Sequence, residues 1–232
     1  MTAVRAVAVV VPAHDEQDLV LDCLDAIAVA RVRLAAVSPH VVVSVVVALD
    51  ACRDDTAVRI AGRPGVDRVD VDARCVGTAR AVGTVHALAG LGSPLEQIWT
   101  AHTDADSCVP PGWLVAMVDA ADGGSDVVVG TVVPDAQLSP PVRAAWTALH
   151  LPGEDHAFVH GANLGVRAST LVAVGGWRPL VTGEDVDLVT RLRATPGVAV
   201  RSTATMPVVT SSRADARAPA GFSSFLRDLT VA

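Results

Sequence analysis

The chain has 232 residues, 18 basic groups that are all arginine, 25 acidic groups and a formal net charge of −7. With 51 % apolar residues and a mean hydropathy of +0.44 it can bury one sizeable core, which excludes a disordered chain. The lack of any basic stripe argues against nucleic-acid binding, and the longest apolar run, Val41 to Leu49, has the length of a buried strand rather than a membrane span.

Taken in order, Val7 to Val11 is a β-branched run that reads as a buried parallel strand stopping at Pro12. Pro12-Ala13-His14-Asp15-Glu16 follows, with His14 or Asp15 expected to cap a helix that has Glu16 in its first turn. Val20, Leu24, Ile27, Ala30 and Leu34 recur at helical spacing along it. Val41 to Leu49 is the second strand, ending in the polar turn Asp50-Ala51-Cys52-Arg53-Asp54-Asp55-Thr56 and a short helix to Gly62. Val66 to Val71 reads as a third strand, Gly77 to Leu91 as a helix and Gln97 to Thr103 as a fourth strand. Pro110-Pro111-Gly112 opens a helix through Trp113 and Met117, with proline in its first turn, and Asp126 to Val133 is a further strand.

Beyond Pro134 the alternation becomes irregular. A helix over 140–150, an extended stretch from Phe158 to Val166, a tight turn at Gly175-Gly176-Trp177 and a helix led by Gly183-Glu184-Asp185 are expected. A strand near Val198 to Thr203 and an amphipathic helix from Phe222 to Leu229 close the chain. Strands alternating with helices over short connections predict an α/β fold, a Rossmann-like doubly wound, mostly parallel sheet flanked by helices in one domain. Gly-x-Gly-x-x-Gly is missing after the first strand, which argues against a dinucleotide dehydrogenase. Cys23, Cys52, Cys75 and Cys108 form no Cys-x-x-Cys pair, so reduced thiols in a cytoplasmic protein are expected; no signal peptide is evident.

Trp99 to His102 runs into Asp104-Ala105-Asp106. Alternation along an extended chain sends both carboxylates to one side, at the strand end where open α/β sheets bind ligands. Hard oxygen ligands there suit Mg²⁺ or Mn²⁺ carrying a phosphate-bearing ligand. Asp70-Val71-Asp72 and Asp185-Val186-Asp187 show the same triplet, so position rather than pattern singles out Asp104 and Asp106.

In this order the motifs resemble those of family 2 glycosyltransferases. Pro12 to Glu16 is similar to their Pro-x-(Tyr/His)-Asn-Glu signature, and Asp50 to Thr56 to their Asp-Gly-Ser-x-Asp-x-Thr segment. Asp104-Ala105-Asp106 falls where their metal motif falls, Pro110 to Leu114 resembles the helix start after it, Gly161-Ala162-Asn163 their Gly-x-Asn strand, and Gly183 to Leu188 their Glu-Asp helix. Asp15 departs from the usual Asn, Leu49 from the first Asp of an Asp-Asp pair, and Ala81 stands where Asn often follows Arg80. The Gln-x-x-Arg-Trp box of processive synthases is missing, and Met206 to Thr210 lacks the metal-binding His of some relatives.

The resemblance implies a GT-A fold, a nucleotide-diphosphate sugar donor (a UDP-sugar preferred), Mn²⁺ or Mg²⁺, and a small-molecule or lipid-linked hydroxyl acceptor. Residues 1–107 would form the nucleotide-sugar half and 108–232 the acceptor half. Asp106 is the expected metal ligand. Pro12, Ala13, His14, Glu16, Asp50, Arg80 and Asp104 would meet the nucleotide. Asp185 would be the base of an inverting transfer, with His160, Asn163, Trp177 and Glu184 on the acceptor side. Arg213 and Arg217 form either a solvated tail or a lid over the diphosphate. Rival readings are a retaining enzyme of the glucosyl-phosphoglycerate synthase kind, a sugar-phosphate nucleotidyltransferase and a non-catalytic nucleotide-sugar binder.

Overall fold

All eight residues from Ala6 to Ala13 (β1) are buried, so this strand must be covered on both faces. Its alternation sorts the residues by size. Val7, Val9 and Val11 pack with Leu24, Ile27, Trp113 and Leu114, whereas Ala6, Ala8 and Val10 pack with Val46 and Ala87 on the other face. Small side chains on the second face let a helix come close: a Cβ added at Gly83 would lie 2.8 Å from the Val10 side chain.

The computed structural model describes residues 2–150 and 153–213. After β1 come α1 (Val20–Val37), β2 (Val42–Asp50), α2 (Thr56–Ile60), β3 (Asp67–Val71), α3 (Val76–Ala89), β4 (Ile98–His102), β5 (Ser107–Cys108) and α4 (Trp113–Asp122). Then follow β6 (Val127–Pro134), α5 (Pro140–Leu149), β7 (Leu164–Arg167), α6 (Ala168–Ala173), α7 (Glu184–Ala194) and β8 (Val200–Thr210). The strands form one eight-stranded sheet in the order β3-β2-β1-β4-β7-β6-β8-β5. The pairs β2/β3, β1/β2, β1/β4 and β6/β8 are parallel, and β7 enters antiparallel between β4 and β6. The expected α/β fold with a mostly parallel sheet is what forms. Among the described residues no helix is long and apolar enough to cross a membrane.

Local expectations differ in several places. β1 continues through Pro12 because β4 pairs it only as far as Val10; beyond that β1 has β2 alone beside it, an edge position where proline is tolerated. α1 starts at Val20 without a side-chain cap, so neither His14 nor Asp15 caps it. Asp15 instead takes φ +53° and accepts the N–H groups of Arg53 (2.6 Å) and Asp54 (3.3 Å), tying the two polar loops together. The prolines at 110 and 111 precede α4 rather than entering its first turn. The stretch expected to be extended over 158–166 contains a 3-10 turn, Gly161–Asn163, and only four residues of strand follow it. β8 runs to Thr210, well past Thr203, and β5 and α6 were not foreseen. The helix expected at Phe222 to Leu229, and Arg217, lie outside the described residues.

Candidate functional site

A cleft of about 660 Å³ opens at the carboxyl ends of β1, β2 and β4, where their loops face the start of α7. Pro12, Ala13, His14, Glu16, Asp50, Arg80, Asp104, Asp106, His160, Glu184 and Asp185 all line it. Residues up to 197 positions apart in the chain thus share one cavity, because the topology gathers the strand ends on one rim.

On the side of the first strands the acidic groups are tied to backbone. Asp50 accepts the N–H groups of Ala73 and Arg74 (both 2.8 Å) and Cys75 (2.7 Å), holding the loop into α3, where Arg74 has φ +48°. His14 Nδ1 donates to the Asp50 carbonyl at 2.6 Å, since a carbonyl can only accept. The Thr56 hydroxyl receives the Glu16 N–H at 2.7 Å and donates to Asp54.

Arg80 is the internal hub. It projects from α3, is 1 % exposed, and donates Nη2 to Asp104 (2.5 Å) and Nε to Glu184 (3.1 Å). Burial opposes its charge, but Asp104, Glu184 and Asp185 outweigh that, so its pKa is raised. The guanidinium lies 5.2 Å from the Trp177 ring centre, a cation–π geometry, and Trp177 meets His102 edge-on at 4.8 Å. Glu184, 6 % exposed, is pushed upward by burial while Arg80 pulls it down.

Asp106 lies between Asp104 and Glu16 in the cleft, its side chain 16 % exposed. Burial, with Asp104 and Glu16 adding negative charge, raises its pKa to about 7, while Arg213 opposes the rise. β5 pairs with the end of β8, and the Ser211 N–H donates to the Asp106 carbonyl at 3.1 Å, which brings Arg213 into the cleft. The Arg213 guanidinium grips Glu16 with two bonds of 2.5 Å and lies 3.1 Å from Asp106 Oδ2. A cation is therefore already at Asp106, supplied by the chain.

That is the chemistry a divalent ion would find. Mg²⁺ and Mn²⁺ sites on phosphate ligands use one or two carboxylates plus phosphate oxygens. Asp106, with Asp104 beside it, fits such a donor set, and a buried carboxylate with a raised pKa gains most from a cation. Among the described residues, the side chains grouped closely enough to offer three ligand atoms are Asp15, Cys52 and Asp54. The carboxylates of that group already accept backbone N–H groups from Arg53, Asp54, Thr56 and Gln17. The four cysteines are free thiols, and burial raises the pKa of Cys23.

The acceptor-side expectations divide. Asp185 lines the cleft, and its carboxylate accepts the Gly161 N–H (2.7 Å) and the Val186 N–H (2.8 Å). His160 lines the cleft too. Trp177 and Asn163 do not: they are 6 % and 1 % exposed and face inward. Asn163 fills a break in the β6/β8 ladder between Gly130 and Val132. Its amide donates to the carbonyls of Thr131 and Met206 (both 2.8 Å), and its oxygen accepts from Trp113 Nε1 at 2.9 Å. A Cβ at Gly130 would lie 2.2 Å from that amide. Sequence reasoning missed Trp146 and His150, which also line the cleft; their four-residue spacing on one helix was the available signal.

No family model matches this chain, and no curated protein matches it by sequence. Solved structures do resemble it. A mannosyltransferase from Pyrobaculum calidifontis, in complex with GDP-Man and Mn²⁺, superposes with a TM-score of 0.64 at 19 % identity, over 97 % of this chain and 60 % of that one. Glucosyl-3-phosphoglycerate synthase from Mycobacterium tuberculosis, with Mn²⁺, UDP and glucosyl-3-phosphoglycerate, gives 0.59 at 16 % identity, over 90 % of this chain and 73 % of that one. S. aureus TarS gives 0.59 at 12 % identity, over 90 % of this chain and 60 % of that one. The chain spans about 60 % of the length of two of these three proteins. At such identities the likeness establishes the fold, which is of the GT-A type.

Proposed function

We propose that this chain is a glycosyltransferase, moving a sugar from a nucleotide-diphosphate donor to a small-molecule or lipid-linked hydroxyl with the help of Mn²⁺ or Mg²⁺. The observation that carries this is the gathering of Glu16, Asp104, Asp106 and Asp185 around one cleft at the carboxyl rim of a GT-A-type sheet. Neighbours of this fold were crystallised with Mn²⁺ and with UDP or GDP-Man.

In this reading Asp106, with Asp104, would hold the cation, whose charge would offset that of the donor's diphosphate. Arg213 leaves Glu16 and Asp106 for the phosphate oxygens, a bidentate partner of the same charge type as the carboxylate it gives up. Pro12, Ala13, His14 and Glu16 cradle the base and ribose, and Asp50 holds the loop that closes that side. Asp185 takes the proton of the acceptor hydroxyl as it attacks. Its two backbone hydrogen bonds aim the carboxylate, and direct attack from that side inverts the anomeric centre.

The donor test is a thermal shift. UDP or GDP with Mn²⁺ should raise the melting temperature and EDTA should remove the gain, because a ligand that binds only the folded state stabilises it. No shift with any nucleoside diphosphate would overturn the reading. A retaining transfer is the second reading, favoured by the likeness to glucosyl-3-phosphoglycerate synthase. The product anomer separates the two: an α-product from an α-donor removes Asp185 as the base.

A further inference from the structure

The segment that delivers Arg213 to the cleft is tied down residue by residue. Thr210, the last residue of β8, pairs with Ser107 in the ladder, and their hydroxyls lie 3.0 Å apart. The Ser211 N–H donates to the Asp106 carbonyl at 3.1 Å, and the Ser212 hydroxyl donates to the Asp135 carboxylate at 2.5 Å. The backbone that carries the arginine is therefore anchored to Asp106 itself. What is left to move is the half-buried Arg213 side chain.

That side chain stands where a metal ion would. Its guanidinium holds Glu16 with two bonds and lies 3.1 Å from Asp106 Oδ2, while Asp106 Oδ1 faces the Ser107 hydroxyl at 3.2 Å. Both oxygens of Asp106 thus already have a donor. A Mg²⁺ ion bonds a carboxylate oxygen at about 2.1 Å, so an ion on Oδ2 would share that atom with a guanidinium nitrogen. Like charges at such a spacing repel strongly where water is partly excluded. Ion and arginine therefore compete for one carboxylate. A bare ion offers the arginine no new partner in exchange. A diphosphate does, because it gives the guanidinium anionic oxygens and gives the ion further ligands.

We propose that Arg213 is a built-in occupant of the cation site, a latch that keeps a bare divalent ion off Asp106 and yields when a nucleoside diphosphate arrives with the metal. This rests on the transferase reading above, and it adds how the empty site is held closed. Metal and nucleotide are then coupled through one side chain, since each is favoured once the arginine has left.

The test titrates Mn²⁺ into the full chain without nucleotide and follows the free ion by electron paramagnetic resonance. The unaltered chain should bind it weakly. Arg213→Gln should bind it about 5- to 150-fold more tightly, the usual range of coupling between two ligands. Arg213→Lys keeps the charge but lacks the fork that spans Glu16 and Asp106, so it should fall between the two. Asp106→Asn added to Arg213→Gln should abolish the gain. Calorimetry with UDP or GDP should show that Mn²⁺ strengthens nucleotide binding less in Arg213→Gln than in the unaltered chain. Mn²⁺ affinity unchanged in both Arg213 variants, a gain that survives Asp106→Asn, or equal strengthening by the metal overturns the latch. Mn²⁺-dependent nucleotide binding in that case leaves the transferase reading standing. Absence of nucleotide binding with Mn²⁺ in the unaltered chain brings down that reading, and the latch with it.

Discussion

Arg80 shows how one buried charge orders the cleft. Its partners Asp104 and Glu184 come from the β4 loop and from α7, so the residue joins the two sides across 104 positions of chain. Removing it leaves Glu184 as a buried anion with no counter-charge. Arg80→Met should therefore cost about 3–5 kcal/mol of stability by urea unfolding, the scale for breaking a buried pair. Arg80→Lys keeps the charge but lacks the fork that reaches two acceptors at once, so it should recover only part. Gly161 is the silent counterpart, since a Cβ there would lie 2.5 Å from Arg80 Nη2. The guanidinium is held by two carboxylates and cannot step aside, so Gly161→Ala should cost about 1–3 kcal/mol through overpacking. The same substitution should weaken the Arg80–Asp104 pair, seen as a reduced thermal shift with nucleotide and Mn²⁺.

At the scale of elements, the break in the β6/β8 ladder is the feature most specific to this chain. Pairing passes from Gly130↔Thr203 to Val132↔Val208, so β8 carries extra residues at the break and carbonyls there lose their ladder partners. The Asn163 amide supplies two of those partners, and its oxygen holds α4 through Trp113. Asn163→Leu should cost about 3–5 kcal/mol, since each buried group left unsatisfied costs roughly 1–3. Asn163→Asp, nearly the same size, should be no better, because a carboxylate cannot donate to two carbonyls. Equilibrium unfolding of both variants checks this; a mild Asn163→Asp would mean that volume, not hydrogen bonding, is what the site requires. The Gly-x-Asn motif is legible in the sequence, but as an acceptor-side strand; its place in the structure is a plug in the sheet.

For the molecule as a whole, titration is the accessible readout. His102, His150 and His160 all have pKa values lowered by burial, His160 to about 4. Each is neutral in the fold and binds a proton in the unfolded chain near pH 6.5. The stability they contribute is complete above pH 6.5 and is lost as the pH falls toward 4. Asp106, raised to about 7, and Glu184, also raised by burial, act in the opposite sense, but they are two groups against three. Acid destabilisation should thus begin near pH 6.5, before ordinary carboxylates titrate. His160→Gln should flatten the curve by about 3 kcal/mol at most between pH 6.5 and 4, at about 1.4 kcal/mol per pKa unit. Chemical denaturation across that range measures both slopes.

The sequence by itself determined the order of strands and helices through β6, the two-residue β5 excepted, and the rim on which the acidic residues stand. Hydrophobic periodicity and turn chemistry are local, and a strand that ends in Asp carries it to the same edge of any doubly wound sheet. It did not determine which partner each polar group takes. Asp50 holds a backbone loop, Trp177 and Asn163 turn inward, and Arg213, which reads from the sequence as a solvated tail before a lid, grips Glu16 from 197 positions away. Those choices depend on strands that pair out of chain order, on a ladder break with carbonyls to satisfy, and on charges that meet only once the sheet is assembled. Only the tertiary structure decides them, because the groups involved are strangers along the chain and neighbours in the fold.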